Sequence, residues 1–304
     1  MSKTHIVSFS GGIASFFAAK RVVEKYGKEN TLLLFADTKM EDEDLYRFIK
    51  DCVKYLNVKL ETIADGRDVW EVFKDVKFLG NSRIDPCSQI LKRKLIKKWI
   101  EKNFDVNNIV MHVGLDWTEE HRFTNYKKRA TFEVDAPLIW KPYLTKPDLF
   151  FELKKINIKP PRLYDMGFPH NNCGGFCVKA GKAQFKILLE RMPERYNYHE
   201  KKEQEFRKFI DKDVSILTKN KDKVKSNITL KEFREEIESN PQMSYLDSID
   251  WGGCGCGVLI QRWCLVMAYQ YKPSPWQQKM HESNARLKVI WAGRRAGKGR
   301  AVLS

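Results

Sequence analysis

The first 140 residues alternate short apolar runs with amphipathic helical patterns, and this alternation constrains the fold more than any other feature. Four runs predict strands, 5–9 (HIVSF), 31–37 (TLLLFAD), 58–63 (VKLETI) and 108–115 (NIVMHVGL), and 135–140 (DAPLIW) is a candidate fifth. The segments 14–26, 42–56 and 87–104 place apolar residues at helical spacing. Because such an alternation typically builds a parallel sheet, the sequence predicts an α/β fold: doubly wound, mostly parallel, with helices on both faces.

The composition changes after residue 140. A proline-rich stretch leads into HNNCGGFC (170–177), and helical patterns follow at 179–192, 194–212 and 229–239, the last with Thr229 and Glu232 as a capping box. Residues 219–227, rich in Lys and Asn, are predicted to form a loop. We therefore expect a nucleotide-binding α/β domain over 1–145, a helical Cys-containing region over 146–260 that completes the site, and a basic tail over 261–304 that is not an independent domain.

The net charge of +16 suggests an anionic partner, and its distribution is uneven. Residues 261–304 contain nine Lys/Arg against the single acid Glu282. The rest of the chain is mildly basic, which suits a phosphate-bearing small molecule and leaves nucleic acid open as a partner. The N-terminal residues do not resemble a signal peptide, and no apolar run approaches the roughly 20 residues of a membrane span. We expect a cytoplasmic protein whose seven cysteines are reduced.

The segment SFSGGIAS (8–15) lies where the first strand ends and a helix begins. There, unpaired backbone N–H groups and the helix dipole attract anions. Gly11 and Gly12 allow close approach of a phosphate, and Ser10 and Ser15 can add hydroxyl donors. The alternative is a tight turn with a serine cap. The strand–SGGxxS–helix order favours a phosphate loop, although the absence of a following Lys excludes a Walker A motif.

Three further residues are candidates for contact with a nucleotide. Asp37 and Thr38 end the second strand, at the carboxyl edge where open α/β sheets bind ligands, although a strand-end turn explains them equally well. Arg122 follows Gly114 and Glu120, and its guanidinium could grip a phosphate or sulfate. A surface salt bridge is the alternative for Arg122.

Five of the seven cysteines lie beside Gly, Pro or Asn, in turn-like contexts: Cys87, Cys173, Cys177, Cys254 and Cys256. Cys52 instead fits the apolar face of the helix at 42–56 and is expected in the core. HNNCGGFC permits a disulfide hairpin, an ordinary glycine-rich turn, or thiolates held for a metal or for sulfur chemistry. Five cysteines in such turns favour the thiolate site, because each ligand sulfur must point at a common center.

Several segments together resemble one known family, in the same order along the chain. They are SGGIAS (10–15), LFADTKMEDEDLYRFI (34–49), IDPCSQILKRKLI (84–96), VGLDWTEEHR (113–122), DAPLIWKPYL (135–144) and LYDMGFPHNNCGGFC (163–177). The likeness is to the phosphoadenosine phosphosulfate (PAPS) reductase family, phage-type, of the pyrophosphate-loop superfamily with its HUP-like fold. The resemblance implies that Ser10, Gly11, Gly12 and Ser15 hold phosphates, with Asp37, Thr38, Gly114 and Arg122 also at the nucleotide.

The resemblance also implies chemistry. Cluster-bearing relatives favour a 4Fe-4S cluster over zinc at Cys87, Cys173, Cys177, Cys254 and Cys256. The family's C-terminal Glu-Cys-Gly-x-His segment is absent, and WGGCGCG (251–257) stands in its place, so Cys254 and Cys256 are candidate nucleophiles as well as ligands. The implied function is an oxidoreductase of sulfur metabolism that reduces a sulfonucleotide, with thioredoxin or glutaredoxin as the thiol reductant.

Two other functions remain open. One is a transferase that uses ATP and Mg²⁺ to adenylate a carbonyl substrate before sulfur transfer. The other is a non-catalytic nucleotide-binding or DNA-packaging accessory protein.

Residues 267–304 resemble a different protein, the N-terminus of a phage terminase large subunit. PSPWQQ (273–278) precedes a predicted strand, and AGRRAGKG (292–299) is an imperfect Walker A motif in which Ala292 replaces the first glycine. We expect no ATPase activity from this segment, since the scaffold of such a loop does not follow. A gene fusion in a phage genome, and hence a location in the host cytoplasm, is the hypothesis. The alternative is a genuine basic extension.

Overall fold

The structure, a computed structural model, describes residues 3–221 and 224–240. Its main sheet has five parallel strands in the order β3-β2-β1-β4-β5. The strands are β1 (Thr4–Ser8), β2 (Thr31–Asp37), β3 (Lys59–Ala64), β4 (Ile109–His112) and β5 (Glu133–Asp135). Strand order reverses at β1, so the carboxyl ends of β1 and β4 form the crevice where such sheets bind ligands.

Helices cover both faces of this sheet. They are α1 (Ile13–Tyr26), α2 (Glu43–Leu56), α3 (Val69–Val76), α4 (Pro86–Ser88), which continues through a π-helical stretch (Gln89–Lys94) into α5 (Leu95–Asn103), and α6 (Glu120–Lys127). Val7, Leu33 and Phe35 pack with α1 and α2 on one face. Ile6, Leu32 and Leu34 point to the other face, where Ile100 of α5 packs. The predicted α/β, doubly wound, parallel fold is confirmed.

The region after β5 is mainly helical, as predicted. It contains α7 (Lys146–Lys155), α8 (Arg162–Asp165), α9 (Lys182–Arg191), α10 (Pro193–Ile210), the antiparallel pair β6 (Leu217–Lys221) and β7 (Val224–Ile228), and α11 (Leu230–Ser239). Trp70 and Phe73 of α3 pack in one buried cluster with Phe176, Phe206 and other residues of this region. The proposed boundary between 145 and 146 stays a prediction, and this cluster takes side chains from both sides of it.

Of the predictions about individual segments, some are confirmed and others are wrong. The capping box of Thr229 and Glu232 is present at α11, and Cys52 is fully buried in α2, as predicted. The candidate strand at 135–140 is wrong: β5 ends at Asp135, and the backbone then turns, with Ile139 N–H bonded to the Ala136 carbonyl. Pro137 lacks the N–H that a continued strand requires.

The predicted loop at 219–227 is also wrong, because most of it belongs to the β6–β7 hairpin. The apolar residues at its base, Ile216, Leu217 and Ile228, are buried in the same cluster as Phe206. Its Lys- and Asn-rich sequence carries no strand signal, so the pairing depends on these distant contacts. Helix α3 was likewise not predicted, although Asp68 and Glu71 form a capping box at its start.

None of the helices in the described part of the chain combines the length and the apolarity that crossing a membrane requires.

Candidate functional site

The loop between β1 and α1 is shaped by two glycines that serve different purposes. Gly11 has a φ of +73°, and a Cβ there would lie 2.8 Å from Cγ of the buried Leu45. Gly12 is the N-cap of α1, where no side chain caps the helix. A Cβ at Gly12 would meet nothing closer than the Tyr164 hydroxyl at 3.5 Å. The fold therefore requires glycine at 11, whereas Gly12 adds no side-chain cap to the first turn of α1.

The two predicted serines form hydrogen bonds within the loop. Ser15 Oγ donates to the carbonyl of Gly12 at 2.8 Å, and Ser10 Oγ donates to Ser15 Oγ at 3.3 Å. Tyr164, which the sequence analysis did not single out, accepts a hydrogen bond from the backbone of Ile13, and burial raises its pKa to about 12. All these residues line one cleft, so the loop is preformed.

Gly114 brings a second segment against this loop. It lies two residues beyond β4, and a Cβ there would sit 3.1 Å from both the backbone N and Cα of Ser15. Backbone atoms cannot move aside as a flexible side chain can, so only glycine permits this approach. The structure thus places Gly114 beside the glycine loop at one edge of the sheet, and its predicted contact with a nucleotide stays a prediction.

The cleft at the carboxyl ends of β1 and β4 has a volume of about 810 Å³. Its charged lining is mostly basic: Lys92, Arg93, Lys97, Arg122, Arg129 and Lys146, against the acids Asp85 and Asp116. Arg122, a predicted contact, also forms an ion pair with the buried Glu119. The ion-pair alternative for Arg122 is therefore present, although its partner is buried rather than on the surface, and the contact with a phosphate or sulfate stays a prediction. The size and positive charge of the cleft suit an anionic ligand of nucleotide size.

Asp37 and Thr38 lie elsewhere, since the described lining of the cleft includes neither. Asp37 accepts hydrogen bonds from the backbone N–H of Lys39 at 2.9 Å and from the Tyr46 hydroxyl at 3.0 Å. Thr38 donates to Glu41 at 3.0 Å. Their predicted contact with adenosine stays a prediction.

Three of the five predicted ligand cysteines come together. Cys87, Cys173 and Cys177 line a small cavity of about 20 Å³, and all three are free thiols, so the disulfide alternative is not formed. Burial raises the pKa of Cys87 to about 12 and also raises those of Cys173 and Cys177. The three groups are therefore protonated thiols near neutral pH.

The cysteine cavity and the cleft share part of their lining. Asp85, Ser88 and Lys92 belong to both. Burial is the largest single influence and lowers the pKa of Lys92, but the Glu41 carboxylate, its hydrogen bond to Lys92, and Cys173 and Cys177 together outweigh it, so the net pKa is raised. Lys92 thus stays an ammonium between the two cavities.

Glu41 connects the cysteine segment to the sheet. Its side chain accepts hydrogen bonds from Thr38, from Lys92 Nζ at 3.3 Å and from the backbone N–H of Cys173 at 2.5 Å. Glu41 was not predicted as a site residue, because an acid in the run MEDED (40–44) is typical of the start of a helix. His170 and Asn171 were also missed as ligand contacts, and both line the cleft.

The described residues do not supply a metal site. They contain no group of three or more His, Cys, Asp or Glu side chains disposed to hold an ion. Cys254 and Cys256, predicted both as ligands and as nucleophiles, lie outside the described residues, as does the terminase-like tail. The predicted cluster, like zinc, stays a prediction without support from this part of the chain.

Comparisons with solved structures find partial likenesses. An NMN synthetase from Francisella tularensis has a TM-score of 0.37 and 17% identity, covering 52% of this chain and 63% of that one. An NH3-dependent NAD synthetase from Campylobacter jejuni has a TM-score of 0.37 and 14% identity, covering 70% and 86%. A PAPS reductase from Candida auris has a TM-score of 0.38 and 11% identity, covering 54% and 78%.

A curated relative, an uncharacterized protein of Methanocaldococcus jannaschii, is 24% identical over 176 residues. The match covers 57% of this chain but only 36% of the relative, so the chain spans about a third of that protein's length. The family comparison is more specific. The model of the phosphoadenosine phosphosulfate reductase domain matches residues 4–170, which include the glycine loop, Gly114, Arg122 and Cys87, and the chain therefore belongs to this family.

Proposed function

We propose that the chain binds PAPS in the cleft and transfers its sulfonate sulfur to a cysteine. One observation carries this proposal: the basic cleft at the glycine loop and the cavity of three thiols share Asp85, Ser88 and Lys92. A nucleotide whose phosphates rest on the uncovered first turn of α1 would place its anionic end close to sulfur groups. Family membership supports the same substrate class.

The residues of the cleft have separable tasks under this proposal. The backbone N–H groups after Gly12 and the dipole of α1 hold phosphate oxygens. Arg122 and Lys92 neutralise charge on the substrate, with Lys92 on the side of the thiols. The described part of the region after residue 145 contributes to the site, since Lys146, Tyr164 and the 169–172 segment form part of the cleft wall.

The reaction proceeds in two thiol steps. A thiolate attacks the sulfonate sulfur, the S–O bond to the phosphate breaks, and adenosine 3′,5′-bisphosphate leaves with the bonding electrons. A second thiolate then attacks the cysteine sulfur of the S-sulfocysteine, so that sulfite leaves and a disulfide forms. Thioredoxin or glutaredoxin returns the disulfide to two thiols.

Cys254 and Cys256 are the proposed nucleophiles. The raised pKa values of Cys87, Cys173 and Cys177 make these three poor nucleophiles.

The test is an anaerobic assay of the full chain with PAPS and reduced thioredoxin, following sulfite and adenosine 3′,5′-bisphosphate. Cys254→Ser and Cys256→Ser should each lower the rate at least a hundredfold, and Cys264→Ser, a cysteine given no role, is the matched control. Release of AMP and pyrophosphate from ATP, with no sulfite from PAPS, would instead identify the ATP-using transferase. Binding of either nucleotide without turnover would indicate the accessory protein.

A further inference from the structure

His170 and Asn171 carry polar atoms that lack a partner in the wall of the cleft. Their side chains are only 6% and 1% exposed, and both residues line the cleft beside the glycine loop. His170 Nε2 and Asn171 Oδ1 are buried and have no hydrogen-bond partner within the described chain. Because buried polar atoms in proteins are nearly always paired, two adjacent exceptions in a ligand cleft call for a ligand that pairs them.

The hydrogen bonds already present fix what each atom offers. Asn171 Nδ2 donates to the carbonyl of Gly11 at 3.1 Å, which orients the amide and leaves Oδ1 as an acceptor. The backbone N–H of Asn172 donates to His170 Nδ1 at 3.4 Å. Burial, with Lys146 and Lys92 nearby, lowers the pKa of His170 to about 4, so the ring is neutral and its hydrogen is on Nε2. The pair thus offers one donor and one acceptor, without charge.

This combination does not suit a phosphate or a sulfate. Ionised phosphate and sulfate oxygens only accept hydrogen bonds near neutral pH, so they would leave Asn171 Oδ1 facing another oxygen. The cations that match an anion lie on other residues of the cleft, such as Arg122 and Lys146. A hydroxyl or an amino-bearing edge, which donates and accepts, satisfies both atoms.

We propose that His170 and Asn171 are specificity residues that bind a neutral donor–acceptor group of the nucleoside rather than its phosphates. This inference rests on the proposed nucleotide site. The group is either a ribose hydroxyl or the amino edge of adenine, and the two sources share the same hydrogen-bonding chemistry. An analogue without the group leaves buried polar atoms unpaired, which is the arrangement that gives strong discrimination.

The experiment compares binding of ATP and of inorganic tripolyphosphate, by calorimetry, to the full chain and to His170→Phe. We expect ATP to bind the variant about tenfold more weakly, which corresponds to about 1.4 kcal/mol, with the affinity for tripolyphosphate unchanged. His170→Gln, which restores an N–H donor, should recover part of the loss. His199→Phe is the matched control, since His199 is also buried with an unpartnered Nε2 but does not line the cleft.

A second arm needs no variant and identifies the group. The unaltered protein should bind ATP about tenfold more tightly than at least one of 2′-deoxy-ATP, 3′-deoxy-ATP and inosine triphosphate. Preference over a deoxy analogue assigns the ribose, and preference over the inosine analogue assigns the base. Equal affinity for all four, or an equal loss of ATP and tripolyphosphate in His170→Phe, would overturn the inference while leaving the phosphate site intact. If the unaltered protein bound neither ATP nor PAPS, the proposed function itself would fall and this inference with it.

Discussion

The chain has two glycine pairs, Gly11–Gly12 and Gly174–Gly175, and they are alike in sequence but not in purpose. In the first pair, Gly12 has room for a Cβ, lines the cleft and adds no side-chain cap to the start of α1. In the second pair, a Cβ at Gly174 would lie 1.4 Å from Arg195 Nη1, and one at Gly175 would lie 2.7 Å from the Phe168 ring. Gly12 thus leaves space at the cleft, whereas Gly11 and both glycines of the second pair make space for the protein itself.

The second loop is held by residues far away in sequence. Arg195 donates to the carbonyl of Gly174 at 2.9 Å, and Gln184 donates to that of Gly175 at 2.7 Å. Together with Glu41 at Cys173 and with Asn171 at Gly11, these bonds join the loop to four other segments. A glycine pair is thus evidence of a ligand site only where the surrounding space is open.

The largest effect is expected at Lys92, which lies between the two cavities. Removing one partner of a buried ion pair costs about 3–5 kcal/mol, because the other charge is left uncompensated. Side chains of Glu41 and Lys92 are 1% and 15% exposed. Lys92→Met should therefore lower the free energy of unfolding by several kcal/mol in urea denaturation.

Lys97→Met, at an exposed pair with Glu101 on the same helical segment, is the control and should change stability by less than about 1 kcal/mol. The double variant Glu41→Gln/Lys92→Met should be more stable than Lys92→Met. If Lys92→Met and Lys97→Met lower the free energy of unfolding equally, the buried Glu41–Lys92 pair does not stabilise the fold more than an exposed pair does.

The next effect separates packing from backbone strain at the second loop. Gly174→Ala combines a φ of +57° with contacts to Arg195 and to the Met40 carbonyl at 2.8 Å. Strain and overpacking together should cost about 3 kcal/mol of unfolding free energy. Gly167→Ala has a φ of +91° with nothing within 4 Å of its Cβ, so it should cost only about 1 kcal/mol. Equal losses in the two variants, measured by denaturation, would show that crowding at Gly174 is unimportant.

Features that depend on local sequence signals could be predicted, as the glycine loop after β1 was. The parallel sheet, its helices and the phosphate-loop candidate follow from local signals: strand runs, helical spacing, and glycines between a strand and a helix. The nearness of Cys87 to Cys173 and Cys177 was predicted from their similar turn contexts, and the structure brings the three to one cavity. Their roles, and those of Cys254 and Cys256, stay predictions.

What the sequence could not give depends on distant contacts. Glu41 matters because it meets Lys92 and Cys173, which are 51 and 132 positions away. Tyr164 reaches the start of α1 from another segment, and the β6–β7 hairpin is anchored by buried residues at its base. In the sequence, these residues look like ordinary polar or loop residues. Their contacts are visible only in the folded chain.

A third prediction tests the first loop where space is open. Gly12→Val should weaken binding of ATP or PAPS by at least tenfold, about 1.4 kcal/mol, because its methyl groups cover the phosphate position. The free energy of unfolding should change by less than about 1 kcal/mol, since a Cβ at Gly12 is in ordinary contact distance of Tyr164 and Ser10. Calorimetry and denaturation of the same sample measure both quantities. Unchanged affinity in a folded variant would remove the phosphate loop from the proposal.

The smallest effect is the contribution of His170 to the pH dependence of stability. Its pKa is lowered from 6.5 to about 4 in the folded protein, first by burial and then by Lys146 and Lys92. The unfolded chain therefore binds more protons between these values, and the stability present above pH 6.5 is lost as the pH falls toward 4. One such group contributes a slope of at most about 1.4 kcal/mol per pH unit. In His170→Phe this contribution disappears, so the variant should lose less stability than the unaltered protein between pH 6.5 and 5. Parallel pH profiles of urea denaturation for His170→Phe and the unaltered protein would mean that the pKa of His170 is not lowered in the folded protein, and the ring would then become charged as the pH falls below 6.5.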